Sequence, residues 1–275
     1  MENLGEAATN PSPTDAGGWP LTRREMRRRG VEIGALPGAE ASPSPRPVSA
    51  RGSFTVADLF EAEAPSAPVS DDPRPTILTV CTGNICRSPL GEVLLRARLE
   101  PLGVRVHSAG THALVGHPMT EQAQALAVAN GAASTAAEAH GARLLTEQIL
   151  AESDLVLAMT AEHSTFAVQM LPSRLRFTFP VRLFARLAAL LSDVDLRVAA
   201  ATGGDSPRLR LAAMVWAVSD QRGLAPASAP EDDDVVDPYR KPQEVYDLSA
   251  AQLVPALDQV ERILRIAMDC EERAS

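Results

Sequence analysis

A cysteine and an arginine six positions apart, Cys81 and Arg87, frame a short loop between a predicted strand and a predicted helix. The strand is the apolar run of residues 76–80. The helix is expected to begin at Pro89, because the missing N–H of a proline would be unpaired in a first helical turn anyway. The N–H groups of a tight loop converge on one point, and the helix dipole adds positive potential there. The spacing therefore predicts an anion site with a cysteine at its mouth.

The chemistry of this site follows from its two framing residues. Positive potential stabilises a thiolate, and a thiolate is a nucleophile at neutral pH. The guanidinium of Arg87 can clamp two oxygens of a tetrahedral oxyanion, which the point charge of a lysine cannot do. A thiolate within a phosphate cradle implies attack of Cys81 on phosphorus.

Composition excludes several classes of protein. The chain has 275 residues, enough for one large or two small domains, and its net charge of −9 argues against a nucleic-acid binder. Two of its three cysteines lie in the loop, so no disulfide framework is expected. The sequence has no apolar run of about 20 residues, which argues against membrane insertion, and residues 1–20 lack the apolar core of a signal peptide. A cytoplasmic protein is predicted, and its oligomeric state is left open.

The first 73 residues differ in composition from the rest. Eleven of the 22 prolines precede residue 76, so residues 1–73 are predicted to be a disordered tail. The alternative is a docking or autoregulatory role, for which the basic run at residues 21–29 is the candidate. Residues 74–275 are predicted to form the folded domain.

Strand and helix patterns alternate along this domain. They predict an α/β fold, a doubly wound four-stranded parallel sheet with helices on both faces and the phosphate-binding loop after the first strand. A stretch at about 192–233 is interpreted as an insertion, whose helical patch (Leu209, Leu211, Val215 and Val218) either covers the core or binds a partner. Pro255 is placed in the first turn of the last helix. The other predicted elements are helices at 90–99, 121–130 and 250–268, strands at 104–108 and 155–159, and a strand and helix within 177–189.

Two stretches carry a resemblance to a known family. Residues 81–89, CTGNICRSP, resemble the phosphate loop of the low-molecular-weight protein tyrosine phosphatases in its bacterial branch, and residues 236–239, VDPY, resemble the general-acid loop of that family. Residues 108–111, 140–143 and 153–159 also resemble family segments, in family order. The resemblance spans about residues 75–272, apart from the insertion.

The resemblance implies a role for each of these residues. Cys81 would form a phosphocysteine, Arg87 would hold the oxygens of the phosphoryl group, and Asp237 would protonate the leaving group and then activate water. No metal or cofactor is needed. A solvated acidic loop, continuing the acidic run at 231–234, is the alternative reading of Asp237. The other loop residues would bind phosphate through their N–H groups: Thr82, Gly83, Asn84, Ile85, Cys86 and Ser88.

Further roles rest on the same resemblance. Ser88 would donate a hydrogen bond to the thiolate, and Asn84, Ser108 and His140 would brace the loop. Cys86 would form a reversible disulfide with the nucleophile and so protect it from over-oxidation. An inert loop residue is the alternative for Cys86.

Substrate choice is expected to depend on two residues at the rim. Protein arginine phosphatases, which residues 159–160 and 177–178 also resemble, carry a threonine where this chain has Ile85. A β-branched apolar side chain there should crowd phosphoarginine and pack against an aromatic ring, for which Tyr239 could supply a wall. Phosphotyrosine in protein substrates is therefore favoured, with phosphoarginine as the alternative.

Two other functions share this fold. Thiol-dependent arsenate reductases can use extra cysteines to resolve their intermediate, but Cys270 is the only cysteine outside the loop. A version that uses a small thiol stays open. An inactive module that binds phosphoproteins would require a broken nucleophile, clamp or acid, and none of the three is broken.

Overall fold

The computed structural model describes residues 72–224 and 229–269. The predictions made for residues 1–71 and for Cys270 lie outside the described residues. Within the two described ranges, no helix combines the length and the apolar composition that a membrane crossing requires.

Four parallel strands form one sheet, as predicted. They are β1 (Thr76–Cys81), β2 (Arg105–Gly110), β3 (Leu155–Ala158) and β4 (Thr178–Pro180), in the spatial order β2-β1-β3-β4. The chain leaves β1 for β2 on one side and later places β3 on the other. The carboxyl end of β1 is therefore a point where the strand order reverses, which is where ligands bind in open α/β sheets.

Helices cover both faces of the sheet, and the side chains of β1 alternate between two apolar clusters. Ile77 faces a large cluster that includes Leu94, while Leu78 and Val80 face a smaller one with Leu150. The helices are α1 (Arg87–Leu99), α2 (Glu121–Ala129), α3 (Ser134–Glu138), α4 (Glu147–Ala151), α5 (Ala161–Met170), α6 (Val181–Ala188), α7 (Asp193–Ala201), α8 (Pro207–Asp220) and α9 (Gln243–Met268).

The stretch interpreted as an insertion contains α7 and α8. Leu211, Val215 and Val218 on α8 are completely buried in the larger apolar cluster, so this helix covers the core. Leu209 does not share their environment, because 37% of it is exposed.

The last helix corrects one prediction. α9 begins at Gln243 rather than near residue 250, so Pro255 lies in the helix interior and not in its first turn. An internal proline costs about 3 kcal/mol, because it removes one backbone hydrogen bond. Each fully buried leucine or valine contributes about 1.5–3 kcal/mol. Leu253, Leu257 and Leu264 are completely buried on this helix, so packing outweighs the effect of the proline.

Candidate active site

The loop that follows β1 surrounds the sulfur of Cys81. This residue is 2% exposed, and its Sγ lies 2.9 Å from the Ser88 hydroxyl and 3.3 Å from the Asn84 backbone nitrogen, which donates to it. α1 begins at Arg87, two residues earlier than expected from Pro89. The arginine therefore belongs to the first turn of the helix whose dipole points at the loop.

Asn84 holds the loop in an unusual backbone conformation. Its φ is +56°, a region that non-glycine residues seldom adopt, and its side chain is completely buried. The side-chain nitrogen donates to the hydroxyls of Ser88 at 2.9 Å and Ser108 at 2.7 Å, and the side-chain oxygen accepts from the Arg143 N–H at 2.9 Å. The Asn84 carbonyl lies 2.8 Å from Nε2 of His140. These contacts offset the backbone strain.

The direction of these hydrogen bonds orients the Ser88 hydroxyl. Because Ser88 accepts from the Asn84 amide, its own hydrogen can point at Cys81 Sγ at 2.9 Å, which is nearer than the Ala109 carbonyl at 3.5 Å. At the other end, the Ser108 hydroxyl donates to a carboxylate oxygen of Glu92 at 2.5 Å. A single chain of hydrogen bonds therefore runs from a buried carboxylate to Cys81 Sγ.

Glu92 was not identified from the sequence. It lies on α1, is 4% exposed, and also approaches Nδ1 of His140 at 3.4 Å and the Arg143 guanidinium at 3.6 Å. Burial alone would raise the pKa of Glu92, but hydrogen bonds from His140 and Ser108 outweigh it and lower the pKa. The carboxylate thus stays charged beneath the loop.

His163 is a second residue that sequence reasoning missed. It is 5% exposed in α5, with Nε2 2.8 Å from the Thr82 hydroxyl and Nδ1 2.8 Å from the Thr160 hydroxyl. Burial is the main cause that lowers the pKa of His163 to about 4, and the positive charge of Arg87 is the second. The imidazole is therefore neutral at neutral pH and fixes the side chain that follows the cysteine.

This shift predicts a pH-dependent stability that His163→Gln should remove. Between pH 6.5 and about 4 the unfolded chain binds a proton that the folded chain does not, so stability falls as the pH falls through this window. The wild type should lose about 3 kcal/mol more unfolding free energy than the variant over this range. Urea unfolding of both proteins at pH 7, 6, 5 and 4 measures the difference, and parallel pH profiles would contradict it.

The structure brings Asp237 to the mouth of the loop. Its carboxylate lies 2.9 Å from Nη2 of Arg87. Nη1 of the same guanidinium donates to the Val235 carbonyl at 3.0 Å. The Arg87 side chain is 5% exposed and that of Asp237 is 54% exposed. Tyr239 stands beside them, its N–H donating to Asp237 at 3.2 Å, and it is 38% exposed. A buried cation thus faces the loop while a carboxylate beside it reaches solvent.

Ile85 and Cys86 lie on the inner side of the loop. Ile85 is 7% exposed, and its carbonyl accepts from the Thr120 N–H at 2.9 Å. Cys86 Sγ lies 3.5 Å from the Thr120 hydroxyl and 3.6 Å from the Tyr246 hydroxyl. Burial raises the pKa of Cys86, which favours its thiol form. The redox role of Cys86 stays a prediction.

The site shows no constellation for a metal in the part of the chain that the structure describes. No three histidine, cysteine, aspartate or glutamate side chains lie close enough together there to hold an ion. What the residues do assemble is a sulfur, a guanidinium, the Asn84 N–H and a solvent-reaching carboxylate.

Comparison with known proteins finds similar sequences and a similar structure. Residues 76–185 match the sequence model of the family described as low molecular weight phosphotyrosine protein phosphatase. The chain is 51% identical over 88 residues to the low molecular weight protein-tyrosine-phosphatase Etp of Escherichia coli. This alignment covers 32% of this chain and 56% of that protein. It is 42% identical over 90 residues to a protein-arginine-phosphatase of Bacillus subtilis, and this alignment covers 32% of this chain and 57% of that protein.

A solved structure is also similar. The tyrosine phosphatase AmsI of Erwinia amylovora is 26% identical and aligns over 68% of this chain and 91% of its own, with a TM-score of 0.45. The two sequence alignments span little more than half the length of the relatives. Residues 76–185 of this chain are therefore similar in sequence to the low molecular weight phosphotyrosine protein phosphatases.

Proposed function

We propose that this protein hydrolyses phosphotyrosine monoesters of phosphorylated proteins through a phosphocysteine intermediate. The observation that carries the proposal is the contact between Arg87 and Asp237 at the mouth of the loop that surrounds Cys81. This contact supports the proposal, because a guanidinium that can bind an oxyanion lies next to a carboxylate at a loop that holds a cysteine sulfur. Hydrolysis of p-nitrophenyl phosphate by the purified protein is the direct test.

The first step transfers the phosphoryl group to sulfur. The Cys81 thiolate attacks phosphorus, an S–P bond forms, and the P–O bond to the leaving group breaks. The electron pair of that bond goes to the leaving oxygen, which takes a proton from Asp237. Arg87 and the N–H groups of the loop hold the non-bridging oxygens while their charge redistributes.

The second step releases phosphate. A water molecule attacks phosphorus as Asp237, now a carboxylate, removes its proton. The S–P bond breaks and its electron pair returns to Cys81. The Ser88 hydroxyl, 2.9 Å from the sulfur, stabilises the departing thiolate. Both steps need the same carboxylate in opposite protonation states.

Substrate binding must also rearrange the clamp. Arg87 pairs with Asp237 at 2.9 Å, whereas the oxygens of a bound phosphoryl group would accept hydrogen bonds from the same guanidinium. The arriving dianion therefore competes with Asp237 for Arg87. Because 54% of the Asp237 side chain is exposed, it can turn toward the leaving oxygen without leaving a buried charge unpaired.

Phosphotyrosine is favoured over phosphoarginine by the rim. Tyr239 is 38% exposed next to Asp237, so an aromatic wall is available to a substrate ring. Phosphoarginine is the second candidate, because one relative is a protein-arginine-phosphatase.

Ile85→Thr should shift the preference toward phosphoarginine. Threonine keeps the β-branch but replaces a methyl-bearing arm with a hydroxyl that can accept from a guanidinium. A several-fold rise in the ratio of kcat/KM for phosphoarginine over phosphotyrosine is expected, within the roughly 10- to 200-fold that a single pocket contact can supply. Two peptides that differ only in the phosphorylated residue measure this ratio, and Ile85→Val is the matched control. An unchanged ratio would show that Ile85 does not select the substrate.

The remaining alternatives are separated by one assay. An arsenate reductase would consume arsenate in the presence of a small thiol, and a binding module would turn over neither substrate. Reduction of arsenate is therefore compared with hydrolysis of p-nitrophenyl phosphate under the same conditions.

We also propose a cytoplasmic location, because Cys81 and Cys86 are both free thiols and a reducing compartment keeps them so.

A further inference from the structure

The acidic run before Asp237 is bound to the folded domain rather than solvated. The Asp233 carboxylate accepts two hydrogen bonds from the Arg186 guanidinium, at 2.8 and 3.3 Å. Their side chains are only 12% and 34% exposed. A bidentate, partly buried pair of this kind is geometrically specific, and water screens it less than an exposed pair.

Asp234 is held in two further ways. Its backbone carbonyl accepts from the Arg182 guanidinium at 2.7 Å. Its carboxylate accepts from the Ala161 N–H, also at 2.7 Å, at the first residue of α5, where the helix dipole favours a negative charge. Arg182 and Arg186 are four residues apart, so they project from the same face of α6. One helix thus supplies both cations, and a second helix supplies the N–H donor.

The next two residues continue these attachments toward the site. The Val235 N–H donates to the Met159 carbonyl at 2.8 Å, and the Val235 side chain is 1% exposed. The Val236 N–H donates to the side-chain oxygen of Gln252 at 2.9 Å. Each residue from 233 to 236 therefore has a fixed partner outside the loop, and Asp237 follows directly.

We infer that Asp233, Asp234, Arg182 and Arg186 are positioning residues for the general acid Asp237, an inference that rests on the proposed function. A general acid works only when its carboxyl reaches the leaving oxygen within hydrogen-bond distance. The Asp237 carboxylate is exposed and contacts the Arg87 guanidinium and the Tyr239 N–H, and in the proposed mechanism Arg87 turns to the substrate. The backbone attachments at 233–236 then determine where the carboxyl stands.

The test is Arg186→Gln, assayed on aryl phosphates with leaving groups of different basicity. Displacing an acid by about 1 Å can lower the rate by up to about 10²-fold. A loss of 10-fold or more is expected for phenyl phosphate, whose leaving group needs the proton. The rate of phosphocysteine formation from p-nitrophenyl phosphate should change less than about 3-fold, because p-nitrophenolate leaves without help.

Three controls accompany this variant. Arg186→Lys keeps the charge and should recover part of the phenyl phosphate rate. Asp234→Asn keeps an oxygen that accepts from Ala161, so it should be milder than Asp234→Ala. Arg98→Gln removes more exposed ion pairs, with Asp258 at 2.8 Å and Glu261 at 3.4 Å, at the far end of α1 from the loop, and should leave both rates unchanged.

The outcomes separate this inference from the proposed function. If the wild type hydrolyses neither ester, the proposed function fails. If the wild type is active and Arg186→Gln lowers both rates equally, or lowers neither, the positioning role is overturned. A weaker affinity for vanadate in Arg186→Gln would likewise overturn it, since that result would place the effect on the phosphate loop.

Discussion

Cys81→Ser is expected to lower the hydrolysis of p-nitrophenyl phosphate by about 10⁴- to 10⁶-fold, the scale seen when other covalent enzymes lose their nucleophile. A serine hydroxyl is not ionised at neutral pH, and Asp237 must carry its own proton in the first step, so it cannot take the proton of the serine. The groups around Cys81 Sγ, the Ser88 hydroxyl and the Asn84 N–H, stabilise a negative sulfur and do not remove a proton from an alcohol. Steady-state kinetics at pH 7 measures the loss.

Binding of an oxyanion should survive this substitution. Arg87 and the N–H groups of the loop do not depend on the sulfur, and Asn84 keeps its contacts with Ser108, His140 and Arg143. Inorganic phosphate, titrated by calorimetry, should therefore bind Cys81→Ser with an affinity within about one order of magnitude of the wild type. The matched control is Cys270→Ser, at the one cysteine outside the loop. Turnover by Cys81→Ser near the wild-type rate would refute the nucleophile assignment.

The part of the site that lies in one local stretch could be predicted from the sequence. The apolar run before Cys81 and the proline at position 89 give a strand, a loop and a helix in immediate succession. These signals are local, because each depends on neighbouring residues alone. The alternation of such units then implied the parallel sheet. Two boundaries differ from the prediction: β1 ends one residue later, at Cys81, and the helix begins two residues earlier, at Arg87.

The distant members of the site needed either a resemblance or the structure. Nothing in the spacing of Cys81 and Asp237 places them together, and only the motif around residue 237 linked it to the loop. His163 and Glu92 had no such motif. His163 contacts Thr82, 81 positions earlier, and a lone histidine in a helix carries no sign of its partner. Glu92 lies in α1 between Gly91 and Val93, and a charged residue within a helix is normally read as solvent-facing.

The acidic run and the last helix show two other limits. A cluster of carboxylates resembles a solvated loop in any sequence, because the arginine that binds Asp233, Arg186, lies 47 positions away. Pro255 suggested a helix start, since proline is tolerated there, yet tertiary packing of α9 overrides that local preference. In both cases the deciding contacts are long-range, and single-sequence patterns do not contain them.

Asp237→Asn should slow phosphocysteine formation from phenyl phosphate by about 10²- to 10⁴-fold. Asparagine preserves the shape of the side chain and can still accept from the Tyr239 N–H, but it has no proton to give to the leaving oxygen. With p-nitrophenyl phosphate the first step needs no proton and should stay within a few-fold of the wild type. Single-turnover kinetics on both esters separates the two cases.

The second half of the cycle supplies an independent sign of the same role. Without a carboxylate to activate water, phosphocysteine should accumulate in Asp237→Asn. The release of p-nitrophenol should then show a fast burst equal to the enzyme concentration, followed by a slow phase. Phosphate affinity should hold or rise, because the variant no longer offers Arg87 a competing charge at 2.9 Å. Asp247→Asn, which alters an exposed carboxylate on α9 that pairs with Gln243, is the control. Equal slowing of both esters in the first step, or an absent burst, would mean that Asp237 contributes charge to the site rather than a proton to the reaction.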